Sequence, residues 1–105
     1  MLTIKNIKID AKQTLGRQLL LVGVQPVNKY VNGKPTDEIE GYKYIVVLPE
    51  RNFEKIAIKI LGRQLIEAPN GYLEVEFEGL EVYLYWWNGK YELGARATGV
   101  TATKR

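Results

Sequence analysis

Apolar and polar residues alternate with a period of two over most of this chain, the spacing of half-buried β-strands rather than helices. Ile56, Ile58 and Ile60 alternate with Lys55, Ala57 and Lys59 within a strand predicted over 54–61. Leu73, Val75 and Phe77 alternate with Glu74, Glu76 and Glu78, and Val82, Leu84 and Trp86 with Glu81, Tyr83 and Tyr85. Tyr42 to Leu48 is rich in β-branched and aromatic residues and stops at Pro49. Leu19 to Val27 reads as a further strand, kinked near Gly23 and Pro26. Leu2 and Ile4 are out of phase with Ile7 and Ile9, which a bulge at Lys5-Asn6 would reconcile. A last strand, roughly Tyr91 to Thr103, carries Gly94 and Gly99, where a curved sheet can bend.

The connections agree with this pattern. Asn32-Gly33 and Asn88-Gly89 are hairpin turns flanked by strand-like sequence. Glu78-Gly79 is a weaker turn, and Pro69-Asn70-Gly71 closes the loop that begins at Gly62. The one helical segment expected is short, Gly62 to Ala68. Six or seven short strands without an internal linker or repeat point to one all-β domain over residues 1–105. A small, closed or partly open barrel fits best, with an SH3-like barrel or a small sandwich as alternatives.

Composition narrows the chemistry. A chain of 105 residues is one domain, and with 46% hydrophobic and 26% charged residues it can build its own core. It has no cysteine and no histidine, which removes disulfides, thiolate nucleophiles, cysteine zinc sites and the commonest general base. Glu74, Glu76 and Glu78 form a straight row on one strand, whereas metal-assisted hydrolysis needs carboxylates converging from several elements. No phosphate loop, nucleophile elbow or dinucleotide fingerprint is present. The expectation is a non-enzyme without metal or cofactor. No apolar run has the length of a membrane span and the start lacks a signal-peptide pattern, so the expected location is the cytoplasm.

The net charge is +3, unevenly spread: residues 1–65 hold eleven basic and six acidic side chains, residues 66–105 four and six. Lys55 and Lys59 share the exposed face of strand 54–61, with Arg63 beyond. Lys29 and Lys34 flank the Asn32-Gly33 turn near Tyr30, and Arg17, with Lys12, precedes the second strand. Cations along a groove neutralise phosphates and aromatic rings beside them stack on bases, which is how single-strand binders work. By phase, Trp86 points inward while Tyr83, Tyr85 and Trp87 point outward. That outward stripe is a stacking platform or a protein interface.

From about Val31 onward, the order of these segments resembles the gene V family of single-stranded-DNA-binding proteins of filamentous phages, small OB-fold binders of phages and mobile elements. Asn32-Gly33-Lys34-Pro35 is similar to that family's Gly-Lys-Pro turn. Phe53-Glu54-Lys55-Ile56-Ala57-Ile58-Lys59-Ile60 resembles its aromatic-led strand, and Ala68-Pro69-Asn70-Gly71-Tyr72 its Pro-x-Gly turn before the next strand. Thr36 stands where the family has a tyrosine, a place Tyr30 could fill. The resemblance implies an OB-like barrel of five to six strands with at most one short helical turn. It also implies a homodimer that coats single-stranded DNA in replication, in a bacterial host's cytoplasm. On it, Lys34, Lys59 and Arg96 match backbone-contacting basic residues, and Arg17 corresponds by its place in a loop. The expected nucleic-acid-binding set is therefore Arg17, Tyr30, Lys34, Lys55, Lys59, Arg63, Tyr85, Trp87 and Arg96. The partner is single-stranded DNA or, on the residues alone, RNA. The alternative is an assembly module that uses the aromatic stripe as its interface. The two part on whether Lys55 and Lys59 are matched across the sheet by Glu74, Glu76 and Glu78.

Overall fold

The computed structural model describes residues 15–16 and 18–103. The expected strand around Leu2–Ile9, Lys12 and the candidate site residue Arg17 lie outside the described residues. Seven strands form one sheet: β1 (Leu19–Val31), β2 (Lys34–Leu48), β3 (Glu54–Leu61), β4 (Leu73–Glu78), β5 (Glu81–Trp87), β6 (Lys90–Arg96) and β7 (Gly99–Ala102). Their order across the sheet is β5-β6-β3-β2-β1-β4-β7. β6 and β7 are the two halves of the single strand expected over 91–103, parted at Ala97-Thr98, which takes the described strands to seven against the five or six of the OB-like expectation.

That parting curls the sheet back on itself. β6 runs parallel to β3, with Ile58 opposite Ala95 and Lys59 opposite Arg96, while β7 runs antiparallel to β4. At the junction the Ala97 amide donates to the Lys59 carbonyl (3.0 Å) and the Thr98 amide to the Glu78 carbonyl (2.8 Å). The chain therefore carries the sheet from β3 to β4, and β4 pairs with β1. The result is an all-β, partly open, OB-like barrel. A 3-10 turn at Pro49–Arg51 links β2 to β3.

The alternating positions fill the barrel as the pattern requires. Leu19, Leu21, Tyr44, Val46, Leu48, Ile58, Ile60, Val75, Val82, Ala95 and Val100 are buried together. Along β1 the apolar phase slips, and a bulge at Val22 absorbs it: Leu21 pairs with Val46 and Gly23 with Ile45. The kink expected near Gly23 is this bulge. Tyr44, fully buried, meets Phe77 edge-on at 6.3 Å between ring centroids, and its hydroxyl accepts a hydrogen bond from the Leu65 amide (2.9 Å). That bond belongs to an irregular loop. The helix expected over Gly62–Ala68 does not form, because Leu65 is tied to Tyr44 and Gln64 turns its amide onto the Ile66 carbonyl.

Both Asn-Gly turns have positive φ at their two central residues, Asn32 (54°) and Gly33 (78°), Asn88 (50°) and Gly89 (79°). These are the type I′ turns that match strand twist. Each closes a ribbon that outruns the barrel. β3 ends opposite Gly41 and β4 meets β1 only at Leu19 to Leu21, so beyond these points the β1–β2 ribbon has no further strand partner among the described residues. Gly41 lies where this arm leaves the sheet, and a side chain there would stand 2.5 Å from the Ile60 carbonyl oxygen. The radius of gyration, 14.5 Å, exceeds the roughly 13 Å of a compact domain of this length, as two projecting ribbons require. No helix among the described residues is long and apolar enough to cross a membrane.

Candidate nucleic-acid interface

Inward burial of Tyr44, Val46, Ile58 and Ile60 fixes what the outer face of β2 and β3 presents. Lys43 and Lys59 stand directly opposite each other, and Lys55 lies opposite Val47. Parallel pairing with β6 adds Arg96 beside Lys59. Lys43, Lys59 and Arg96 therefore form a cationic row across three adjacent strands, with Gln25 of β1 at one end and Glu81 of β5 at the other. Like charges directly opposite on a sheet oppose folding, so stability alone does not explain this row. Lys55 continues the basic surface along β3, about 13 Å from Lys59 at the usual rise.

Aromatic rings line the same depression. Lys43, Lys55 and Lys59 share a groove of about 450 Å³ with Tyr83 and Tyr85. It runs on into a second hollow of about 460 Å³ where Lys59 and Tyr83 meet Arg96, Glu40, Leu61 and Thr98. The Tyr83 and Tyr85 rings lie 6.2 Å apart, and the Arg96 guanidinium sits over the Tyr83 ring at 5.4 Å. Gly94 makes room for this. It faces Tyr83 across the β5–β6 hairpin, and a Cβ there would fall 2.5 Å from Tyr83 Cε2.

The acidic ladder does not neutralise the groove. Glu74, Glu76 and Glu78 are on β4, whose neighbours are β1 and β7, not β3. Two other carboxylates reach in. Glu40 pairs with Lys59 at 3.2 Å, and one oxygen of Glu81 accepts from Arg96 Nε and Nη2 at 3.0 and 2.9 Å. The Arg96–Glu81 pair is solvent-exposed and worth little to folding, while Lys59–Glu40 is half-buried. Lys43 and Lys55 have no ion pair among the described residues.

Of the expected binding residues, the fold brings together Lys55, Lys59, Tyr85 and, at one end, Arg96. Tyr30 and Lys34 sit exposed at the tip of the β1–β2 arm, beyond the end of β3, and Arg63 is in the loop after it; none of the three lines the groove. Trp87 belongs to β5, but its side chain lies outside the described residues. Lys43 was not among the expected residues, although its place between inward Tyr42 and Tyr44 gives it an outward phase. Tyr83 was expected only as part of the stripe, and its pairing with Gly94 depends on a register that periodicity does not fix.

Trp86 corrects an expectation. It shares the face of Val82 and Leu84 yet is 60% exposed, with its ring edge-on to Tyr91 at 4.9 Å. The β3–β6 pairing stops at Ala95 and Arg96, so the end of the β5–β6 hairpin has outrun the core that Trp86 would have entered. Among the described residues, no group of three or more Asp or Glu is placed to hold a metal ion. Comparison with protein-family models, with curated proteins and with solved structures gives no match.

Proposed function

We propose that this protein binds single-stranded nucleic acid, without catalysis, along the groove between β3 and the β5–β6 hairpin. The observation that carries the reading is the cationic row Lys43–Lys59–Arg96, with Lys43 free of an ion pair and Lys55 further along, beside the Tyr83 and Tyr85 rings. Cations alone would suit any polyanion. Exposed rings in the same groove suit bases that are free to leave a stack, which favours a single strand over a duplex. Lys43, Lys55, Lys59 and Arg96 contact phosphates, Tyr83 and Tyr85 stack on bases, and Lys34 and Tyr30 on the arm reach the strand further along. DNA rather than RNA, a role in replication, and a phage or mobile-element setting in a bacterial cytoplasm rest on the gene V resemblance.

A second feature favours self-association. Among the described residues β5 is an edge strand, and between Glu81 and its turn it carries no charge and no proline to blunt pairing. Trp86, Tyr91 and Leu93 are exposed on one face of its hairpin. A second copy paired along β5 would extend both sheets and set its own strand beside Trp86, consistent with a homodimer.

The test is fluorescence anisotropy of labelled oligo(dT) titrated with protein at rising salt. The expected result is tight binding at low salt, weakened by Lys43→Ala, Lys59→Ala and Tyr85→Ala, with little binding to duplex of the same length. Affinity for oligo(dT) that is absent, or that ignores salt, would overturn the reading and leave the aromatic surface as a protein interface.

A further inference from the structure

A groove built to hold phosphates should not contain carboxylates, yet Glu40 and Glu81 each hold one of its cations. Neither is needed as a structural tie. Arg96–Glu81 is exposed, its side chains 65% and 61% accessible, and Lys59–Glu40 is half-buried but still open to solvent, at 39% and 31%. The barrel joint beside them is held by backbone hydrogen bonds instead, from Ala97 to Lys59 and from Thr98 to Glu78. Both carboxylates also bind the groups a phosphate would use. Glu81 takes Arg96 through Nε and Nη2 on one oxygen, and those two nitrogens make one edge of the guanidinium fork that grips phosphate. Glu40 lines the same hollow as Lys59, Tyr83 and Arg96.

Resting on the nucleic-acid reading above, we infer that Glu40 and Glu81 are internal competitors for phosphate, which a bound strand must displace from Lys59 and Arg96. The groove then has two classes of cation. Lys43 and Lys55 meet a phosphate directly. Lys59 and Arg96 exchange one anion for another, and the displaced carboxylate stays nearby, so this exchange adds little net neutralisation. The consequence is a weaker and less salt-sensitive grip than four groove cations imply, which lets a coating protein release its strand.

The salt dependence gives a number. Each phosphate neutralised on a single strand contributes about −0.7 to the slope of log K against log salt. Replacing one carboxylate by its amide should therefore steepen the slope by about 0.7, and both together by about 1.4. At low salt each replacement should tighten binding by about two- to fivefold, the range of an exposed ion pair.

The experiment is anisotropy with labelled oligo(dT) across a salt series, for the wild type, Glu40→Gln, Glu81→Gln, the double variant and Lys43→Ala. Tighter binding and a steeper slope in both glutamine variants support the inference. Unchanged or weaker binding in them, while Lys43→Ala still loses affinity, overturns the inference alone; Glu81 would then be a positioning residue that holds Arg96 over Tyr83. Wild-type protein that does not bind oligo(dT), with Lys43→Ala no different, overturns the nucleic-acid reading and the inference with it. Thermal melts of each variant confirm that it is folded.

Discussion

Replacing Gly94 by alanine adds one methyl group to the floor of the groove and separates binding from stability. The new carbon would lie 2.5, 2.6 and 2.9 Å from Cε2, Cζ and Oη of Tyr83, so ring and methyl cannot share the site. Gly94 has no positive φ, and alanine fits its backbone without strain. What yields is the Tyr83 side chain, which is already partly exposed and can swing towards solvent. The barrel should hardly notice. Losing the Arg96–Tyr83 contact costs about 0.5–1 kcal/mol, and the reduced freedom of the unfolded chain returns about 0.4–1 kcal/mol. The net change in folding free energy is within about 0.5 kcal/mol of zero.

Binding should respond differently. If Tyr83 stacks on a base, its displacement removes about 1–3 kcal/mol, a weakening of about five- to a hundred-and-fiftyfold for oligo(dT). The salt slope should stay as it was, because no phosphate contact is lost. Urea unfolding gives the stability, and anisotropy at two salt concentrations gives the affinity and slope. Unchanged affinity in a variant whose near-ultraviolet circular dichroism shows a moved tyrosine would refute Tyr83 as a stacking platform. A loss of stability above about 2 kcal/mol would refute the premise that the ring is free to move, since that is the scale of an overpacked interior.

Two further outcomes are expected. Tyr44→Phe removes the acceptor of the Leu65 amide at 2.9 Å while keeping the ring against Phe77, and should cost about 0.5–1.5 kcal/mol in urea unfolding, with faster hydrogen exchange in loop 62–72. On the proposed pairing along β5, wild-type protein should sediment at twice 12.0 kDa, and Trp86→Lys, which places a charge on the exposed end of that strand, at the single-chain mass with the barrel still folded; a variant that sediments as the wild type does would remove β5 as the interface.

Strands, turns and the inward set were legible because the barrel's inner face is uniformly apolar. A period of two then assigns every residue of β3, β4 and β5 to a side, and Asn-Gly at a reversal leaves few turn geometries. The groove was legible only in part, because it depends on which strands are neighbours. Lys55 and Lys59 could be placed outward from sequence, but that Arg96 stands beside Lys59 follows from a parallel pairing between segments far apart in the chain. Whether the Glu74 ladder faces those lysines is again a matter of strand order. Trp86 shows the limit of phase: alternation says which face a residue is on, not whether the core extends that far. The loop 62–72 shows another, since its path is set by the buried Tyr44 hydroxyl, a tertiary bond that local propensity does not contain.

This chain breaks local rules on the outside of the barrel, not within it. Inside the barrel every buried side-chain polar group among the described residues has a partner, and the alternation is obeyed. Outside, Lys43 faces Lys59, edge strand β5 carries exposed aromatics, and Phe53, two residues before Lys55, is an exposed bulky side chain held at a φ of 59°. Each departure works against the free fold, and a threonine or glutamate at position 43 would relieve the first of them by a few tenths to about 1 kcal/mol. A strand of phosphates laid along the groove relieves the same repulsion from outside. On the proposed function, the residues that weaken the empty barrel are the ones that drive binding, and a strand that binds only the folded form must stabilise it. The melting temperature should therefore rise with oligo(dT), and rise less in a variant that has lost Lys43.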